Sequence, residues 1–316
     1  MPLSAPCLHP ATRSRTPPGR WPAAQLAGAV LALACGLLQA GPAMAALDLA
    51  ALWDFREPAL SEQRFRAAMA GASSDDQLIL QTQIARTHGL RGDFDTARRI
   101  LDGLQPALAT ASPEARVRHA LETGRSWASG RHTPAQRTPE ARARARAAWE
   151  QALALAREAR LDALAIDAIH MFAFIDTAPA DQQRWAEAAL AVSLASDQPD
   201  ARRWEGSIRH NLGYALHQQG RLDAALAEFQ RALALRQQAG KPADIRVAHW
   251  MVAWTLRGLG RLDEALTIQR RLADENAAAG TPDPHVFEEL ELIHRAKGDA
   301  AAADAAAAAR QQAVAR

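Results

Sequence analysis

Side chains that could transfer a proton or bind a ligand are grouped on one short stretch of the sequence. His210, Tyr214 and His217 are spaced at i, i+4 and i+7, so on a helix they share one face. Imidazole can serve as a base or a metal ligand, but the compact zinc signature places two histidines four residues apart. The sequence also lacks a GxSxG elbow, a phosphate loop and a GxGxxG turn. The pattern therefore favours binding over catalysis, and we expect no enzyme activity, cofactor or metal.

The first 45 residues differ in composition from the rest of the chain. Three arginines precede an apolar run at 26–38, and alanines at positions 43 and 45 form an A-x-A site. This order is typical of a secretory signal peptide. We predict that residues 1–45 are a signal cleaved after Ala45, and that the protein is periplasmic or secreted.

Two alternatives for this segment stay open. The run at 26–38 could remain as a membrane anchor, or Cys35 could be lipidated. Both cysteines, Cys7 and Cys35, lie in the segment, so the cleaved chain would have no thiol. Removing its three arginines from the 37 basic residues leaves 34 against 35 acidic ones, a formal net charge of −1. A near-neutral chain gives no support for nucleic-acid binding, and no membrane span is expected after cleavage.

A seven-residue sequence occurs twice in the second half of the chain. GRLDAAL at 220–226 recurs as GRLDEAL at 260–266, and GDFDTAR at 92–98 has the same pattern. A second motif, an aromatic residue followed by alanines, begins at Trp149 and again at Phe229. Repeat periods of about 40 residues belong to helical hairpins, and abundant alanine favours helix. The sequence therefore predicts an all-α chain.

Each repeat has a physical explanation. The glycine ends the first helix, because it adopts the left-handed conformation without strain. Asp223 and Asp263 are then expected at the start of the second helix, near its unpaired N–H groups. Ala225 allows close approach of the two helices, and Phe229 fills the space between units. A single hairpin cannot bury such a face alone, so the units are expected to stack.

The unit at 211–233, NLGYALHQQGRLDAALAEFQRAL, resembles the tetratricopeptide repeat (TPR) family. The next unit keeps Gly260 and Ala265 but has Gln269 at the aromatic place. The resemblance implies a right-handed α-solenoid of stacked antiparallel helix pairs. We predict about six pairs over 75–316, with 46–74 as a leading or capping segment. The chain is also similar to exported bacterial TPR proteins of similar length.

The resemblance further implies a concave face lined by the first helix of each unit. The family's groove positions fall here on aromatic, histidine and charged residues, and the two arginines among them are expected to hold a carboxylate of a partner. Histidines on this face suggest altered binding near pH 6. The predicted partner-binding residues are His170, Phe174, His210, Tyr214, His217, Trp250, Trp254, Arg257, Glu288 and Arg295.

The function expected from these observations is a non-catalytic scaffold of the cell envelope that binds a protein or peptide on its concave face. One alternative is a domain that binds a small molecule or glycan in the same groove. Another is a structural subunit of an envelope assembly that uses its convex face. The sequence leaves the partner and the oligomeric state open.

Overall fold

A computed structural model describes residues 47–315. The predicted signal peptide, its cleavage site and both cysteines lie outside the described residues. Within them the regular structure is helical, with no strand, as the sequence predicted. Three short 3₁₀ segments, at Gln105–Ala109, Pro134–Gln136 and Phe172–Phe174, interrupt the α-helices. The α-helices are α1 (Leu49–Leu52), α2 (Pro58–Ala68), α3 (Ser74–Leu90), α4 (Phe94–Leu104), α5 (Pro113–Trp127), α6 (Pro139–Glu158), α7 (Asp162–Met171), α8 (Pro179–Ala195), α9 (Pro199–Arg202), α10 (Glu205–Gln218), α11 (Leu222–Ala239), α12 (Pro242–Gly258), α13 (Leu262–Ala278), α14 (Pro284–Ala296) and α15 (Ala300–Val314).

Consecutive helices pack as pairs. Three-residue connections join α3 to α4, α10 to α11, α12 to α13 and α14 to α15, and connections this short make the two helices antiparallel. Each pair contacts the next; for example, α11 packs against α12 and α13 packs against α14. We call α3, α5, α7, α10, α12 and α14 the first helices. None of the described helices is long and apolar enough to cross a bilayer.

The repeated glycine closes each hairpin in the way the sequence suggested. Gly220 has φ 71° and Gly260 has φ 74°, a left-handed conformation that costs glycine little. The Gly220 N–H donates to the carbonyl of His217 at 2.9 Å, and the Arg221 N–H donates to that of Leu216 at 3.0 Å. This pair of bonds is the Schellman motif, which satisfies the free carbonyls at the end of a helix.

Aspartates stabilise the start of the second helix in two ways. In α4 and α15 the residue after the glycine, Asp93 or Asp299, is the N-cap and accepts a backbone N–H. In α11 and α13 an arginine occupies that position and makes no side-chain cap. Asp223 and Asp263 lie in the first helical turn instead, where their charge interacts favourably with the helix dipole. The start of α4 has both features, since Asp95 occupies the motif position in its first turn.

Small residues set the spacing between helices, and large rings fill the space that they leave. Phe229 is 1% exposed and lies against Gly213, whereas Trp149 is 0% exposed and lies against Gly124. Phe229 thus fills a gap within its own helix pair, between α10 and α11, rather than between units as the repeat logic suggested. One apolar cluster extends from α8 to α15 and a second from α5 to α8, so neighbouring pairs share a continuous core.

In the repeat that contains GRLDEAL, a buried amide occupies the position of the aromatic residue. Gln269 is 0% exposed, and its side-chain oxygen and nitrogen have no hydrogen-bond partner among the described residues. Burying an unpaired amide costs about 1–3 kcal/mol. We expect Gln269→Met, which keeps the volume without the polar atoms, to raise the free energy of unfolding by about 1–2 kcal/mol. Urea denaturation followed by circular dichroism measures the change.

The matched control is Gln230→Met, an exposed glutamine on α11. Its effect should stay within about 0.5 kcal/mol, as is usual at surface positions. A Gln269→Met protein that is less stable than the parent would contradict the explanation.

Candidate ligand-binding face of the first helices

Four rings on α10 and α12 pack against one another. The ring centroids of Tyr214 and Trp254 are 6.0 Å apart, those of His217 and Trp254 are 3.4 Å apart, and those of Trp250 and Trp254 are 5.8 Å apart. Their interplanar angles are all 20° or less. These four residues, which we call the ring cluster, were all predicted as groove residues.

The ring cluster lies at the boundary between core and solvent. All four side chains are half-buried, and Tyr214, Trp250 and Trp254 pack on the apolar cluster beneath them. Each ring is thus fixed on one side and accessible on another. A rigid, partly exposed aromatic surface is the type of contact area that dominates binding sites for proteins and peptides.

A buried ion pair continues this face from α12 to α14. Arg257 donates to both carboxylate oxygens of Glu289, at 2.7 Å and 2.9 Å, and Glu289 is only 3% exposed. The hydrogen bonds to Glu289 raise the pKa of Arg257 despite its partial burial. The carboxylate that Arg257 was expected to take from a partner is therefore supplied by the chain itself.

Toward the amino-terminal side, His170 connects α7 with α10. Its Nδ1 lies 3.3 Å from Nδ2 of Asn211, and its ring meets that of Phe174 edge-on at 5.9 Å. Both rings are half-buried. His170 is thus held by contacts on three elements: α7 itself, the 3₁₀ turn that follows it, and α10.

A chain of charges occupies the same face across α3, α5 and α7. Arg125 donates to Glu122 and to Asp167, each at 2.5 Å. Arg86 lies 3.8 Å from the carboxylate of Glu122. Burial alone would lower the pKa of Arg125, but the two carboxylates more than offset it and the pKa is raised. Likewise burial favours protonation of Asp167, yet Arg125 and Arg86 hold its pKa below the usual range. Arg125 and Asp167 therefore stay charged at neutral pH.

These contacts form one line across all six first helices. The charge chain leads from α3 to α7, His170 and Asn211 lead on to α10, and the ring cluster and Arg257 complete it to α14. We call this surface the first-helix face. Six of its members were not predicted: Arg86, Glu122, Arg125, Asp167, Asn211 and Glu289.

The missed residues carry a modest sequence signal. Glu122 and Arg125 are charged residues three apart in α5, and Asp167 lies three residues before His170. Residues at i and i+3 share a helix face, so the sequence indicates that each of these pairs lies on one face. Their mutual pairing is not indicated, because it depends on contacts between residues 42 positions apart.

Three predicted residues lie apart from this line. His210 packs against Phe229, with ring centroids 5.9 Å apart, so it belongs to the interface between α10 and α11. Glu288 lies near His285 at 3.4 Å and near Arg310 at 3.8 Å. Arg295 is exposed and pairs with Glu291 at 3.1 Å. As with Arg257, the carboxylate expected from a partner is already present on the chain.

The expectation of altered binding near pH 6 is wrong for these histidines. Burial lowers the pKa of His170 to about 4, that of His210 to about 3, and that of His217 to about 4. Nearby arginines reinforce the effect at His210 and His217. The imidazoles are therefore uncharged at pH 6, and their titration does not change the charge of the face there.

The groups on this face offer contact surface for a ligand. In the part of the chain that the structure describes, no three histidine, aspartate, glutamate or cysteine side chains are arranged to hold a metal ion. The groups that come together are paired charges and stacked rings. Paired charges and half-buried rings recognise a ligand by shape, hydrogen bonding and apolar contact.

Comparison with known proteins agrees with the repeat pattern. Residues 204–274 match the family model described as tetratricopeptide repeat. A crystal structure of BtubC (BKLC) from P. vanneervenii is similar at 14% sequence identity, with 85% of this chain and 92% of that chain covered, and a TM-score of 0.39. No curated protein matches the sequence. Residues 204–274, which contain the ring cluster, therefore belong to the tetratricopeptide repeat superfamily.

Proposed function

We propose that this protein is a non-catalytic scaffold of the cell envelope that binds a protein or peptide on its first-helix face. The observation that carries the proposal is the continuous line of half-buried rings and paired charges across the six first helices. In stacked helical repeats this side forms the extended concave surface used for binding. Tetratricopeptide repeats in general mediate contacts between proteins.

The chemistry changes along the face in a way that suits an extended ligand. Charged groups dominate at α3, α5 and α7, whereas rings dominate at α10 and α12. A segment lying along the face would contact half-buried rings at one end, whereas the charges at the other end are largely buried and paired with one another. Such a division favours a peptide or an exposed protein segment over a compact small molecule.

The envelope location is supported by the sequence of the first 45 residues. Their basic start, apolar run and A-x-A site are those of an export signal. The partner is accordingly sought among envelope proteins.

The test compares proteins captured from an envelope extract by three forms of the full chain with a carboxyl-terminal tag. The test variant is Tyr214→Ala with Trp254→Ala, which removes two rings of the cluster. The control is Leu194→Ala on α8, where the side chain is 56% exposed and outside the first helices. We expect the parent and the Leu194→Ala form to capture the same partner, and the double variant to lose most of it, since aromatic anchors typically contribute 2 kcal/mol or more, roughly 30-fold in affinity.

Far-UV circular dichroism on all three forms separates loss of binding from loss of folding. A double variant that retains its helical content and still captures the same partner would exclude the ring cluster from binding. Stabilisation of the parent by oligosaccharides, and not by the captured partner, would favour the glycan alternative instead.

A further inference from the structure

A cavity of about 310 Å³ lies outside the first-helix face. It is formed by the second helices α4 and α6, the end of α5, and the connection 128–138. Its volume is at the lower end of the range for small-molecule sites. The residues that give it chemical character are Phe94, Arg98, Trp127, His132, Glu140 and Arg144.

Two guanidinium groups lie over one indole in this cavity. The Cζ atom of Arg98 is 4.3 Å from the ring centroid of Trp127, and that of Arg144 is 4.5 Å from it. Cation–π contact of this kind holds a guanidinium in place while its N–H groups stay available at the edge. Both guanidiniums are therefore held at the same indole ring.

The two arginines differ in how many of their N–H groups already have hydrogen-bond partners. Arg98 donates to the carbonyl of Ser126 at 2.7 Å and also to Asp95. Arg144 is exposed and forms no hydrogen bond or ion pair with any described residue. Arg144 thus supplies a free, oriented set of donors, and a bidentate oxyanion is the partner that such a fork matches best.

The opposite wall is uncharged. Phe94 and His132 stack with ring centroids 3.7 Å apart. The two ring nitrogens of His132 are occupied, Nδ1 by Ser129 at 2.9 Å and Nε2 by the carbonyl of Ser126 at 3.2 Å. Burial lowers the pKa of His132, and both rings are only 5% exposed, so this wall is uncharged and largely closed.

One group in the cavity opposes an anion. The carboxylate of Glu140 lies in the first turn of α6, where its own backbone N–H and Thr138 lower its pKa. Thr138 caps the same helix by accepting the Ala141 N–H at 3.1 Å. The helix start is therefore already satisfied, and attraction for an anion comes from the guanidiniums rather than from the helix.

We propose that this cavity binds a small organic oxyanion, with its carboxylate or phosphate on Arg144 and its apolar body toward Phe94 and His132. The site is independent of the first-helix face, since its lining residues lie on other helices or beyond the face. A protein that recognises a partner on one side would thereby also take a small ligand on the other.

The probe for the experiment is phenyl phosphate, titrated into the full chain at constant ionic strength. The indole N–H resonance of Trp127, assigned with Trp127→Phe, reports occupancy by NMR. We expect a saturable shift at millimolar concentrations, and at least about tenfold weaker binding of inorganic phosphate, which lacks the apolar body. Arg144→Gln should weaken phenyl phosphate binding by about tenfold or more.

Two further variants test whether affinity follows the charge at the cavity. Glu140→Gln removes the opposing charge and should tighten binding several-fold. Arg142→Gln is the matched control, an exposed arginine on the same helix that does not line the cavity, and it should leave the affinity unchanged. No saturable shift with phenyl phosphate, equal affinity in Arg144→Gln and the parent, or weaker binding in Glu140→Gln would each overturn the proposal.

Discussion

Gly124→Ala is expected to destabilise the protein by about 3–5 kcal/mol, close to the loss of a buried tryptophan. A Cβ atom at position 124 would lie 2.1 Å from Nε1 and 2.4 Å from Cδ1 of Trp149. The indole cannot withdraw, because it is 0% exposed and its Nε1 donates to the carbonyl of Leu121 at 3.3 Å. The gain in helix propensity, about 1 kcal/mol, offsets only part of the clash. Urea denaturation followed by circular dichroism gives the free energy of unfolding.

The control is Gly103→Ala in α4, where an added Cβ meets no atom within 4 Å. This exposed helical glycine lacks the clash, so the substitution should stabilise the protein by up to about 1 kcal/mol. A second test of the mechanism combines Gly124→Ala with Trp149→Phe. The smaller ring should recover part of the loss, giving a non-additive double-mutant cycle. Equal stability of Gly124→Ala and the parent would show that the α5–α6 interface is looser than described.

The second large effect is a loss of stability as the pH falls from about 6.5 toward 4. Burial lowers the pKa of His170, His210 and His217 to between about 3 and 4, whereas an unfolded histidine titrates near 6.5. Between these values the unfolded chain binds protons that the folded chain does not. Stability is therefore complete above about pH 6.5, and each histidine lowers it by about 1.4 kcal/mol per pH unit below that.

Other charged groups near these histidines do not change the direction of the effect, a loss of stability as the pH falls. Asp167 favours protonation of His170 and Arg125 disfavours it, whereas Arg236 and Arg257 disfavour protonation of His210 and His217 respectively. Carboxylates with lowered pKa, such as Asp167, add to the loss only at lower pH, where unfolded carboxylates titrate. The interval between pH 6 and pH 5 therefore reports mainly the histidines.

The measurement is the free energy of unfolding from urea titrations at pH 7, 6 and 5. The free energy of unfolding should depend less steeply on pH in a variant with glutamine at His170, His210 and His217. This holds even if the variant's absolute stability differs from that of the parent. His285→Gln, at a side chain that is 52% exposed, should leave the slope unchanged. A free energy that is flat between pH 7 and pH 5 would mean that the three imidazoles are better solvated than their positions indicate.

The candidate site shows where sequence reasoning reached its limit. Tyr214, His217, Trp250 and Trp254 were found from the repeat register alone, because the helix period fixes which residues share a face. His210 satisfied the same register yet packs against Phe229. The register fixes the face but not the neighbour, since His210 contacts a ring on α11 and Tyr214 contacts one on α12.

The sequence by itself determined the helical class and the glycine-closed hairpins of the repeats, since these follow from local propensity and short spacings. Only the tertiary structure decided which charges meet. Arg125 reaches Asp167, and Arg257 reaches Glu289, across helices that are distant in sequence. The tertiary structure also brought Arg98 and Arg144 onto one indole. Such contacts depend on how the helix pairs stack, and a single sequence does not encode that geometry in any local pattern.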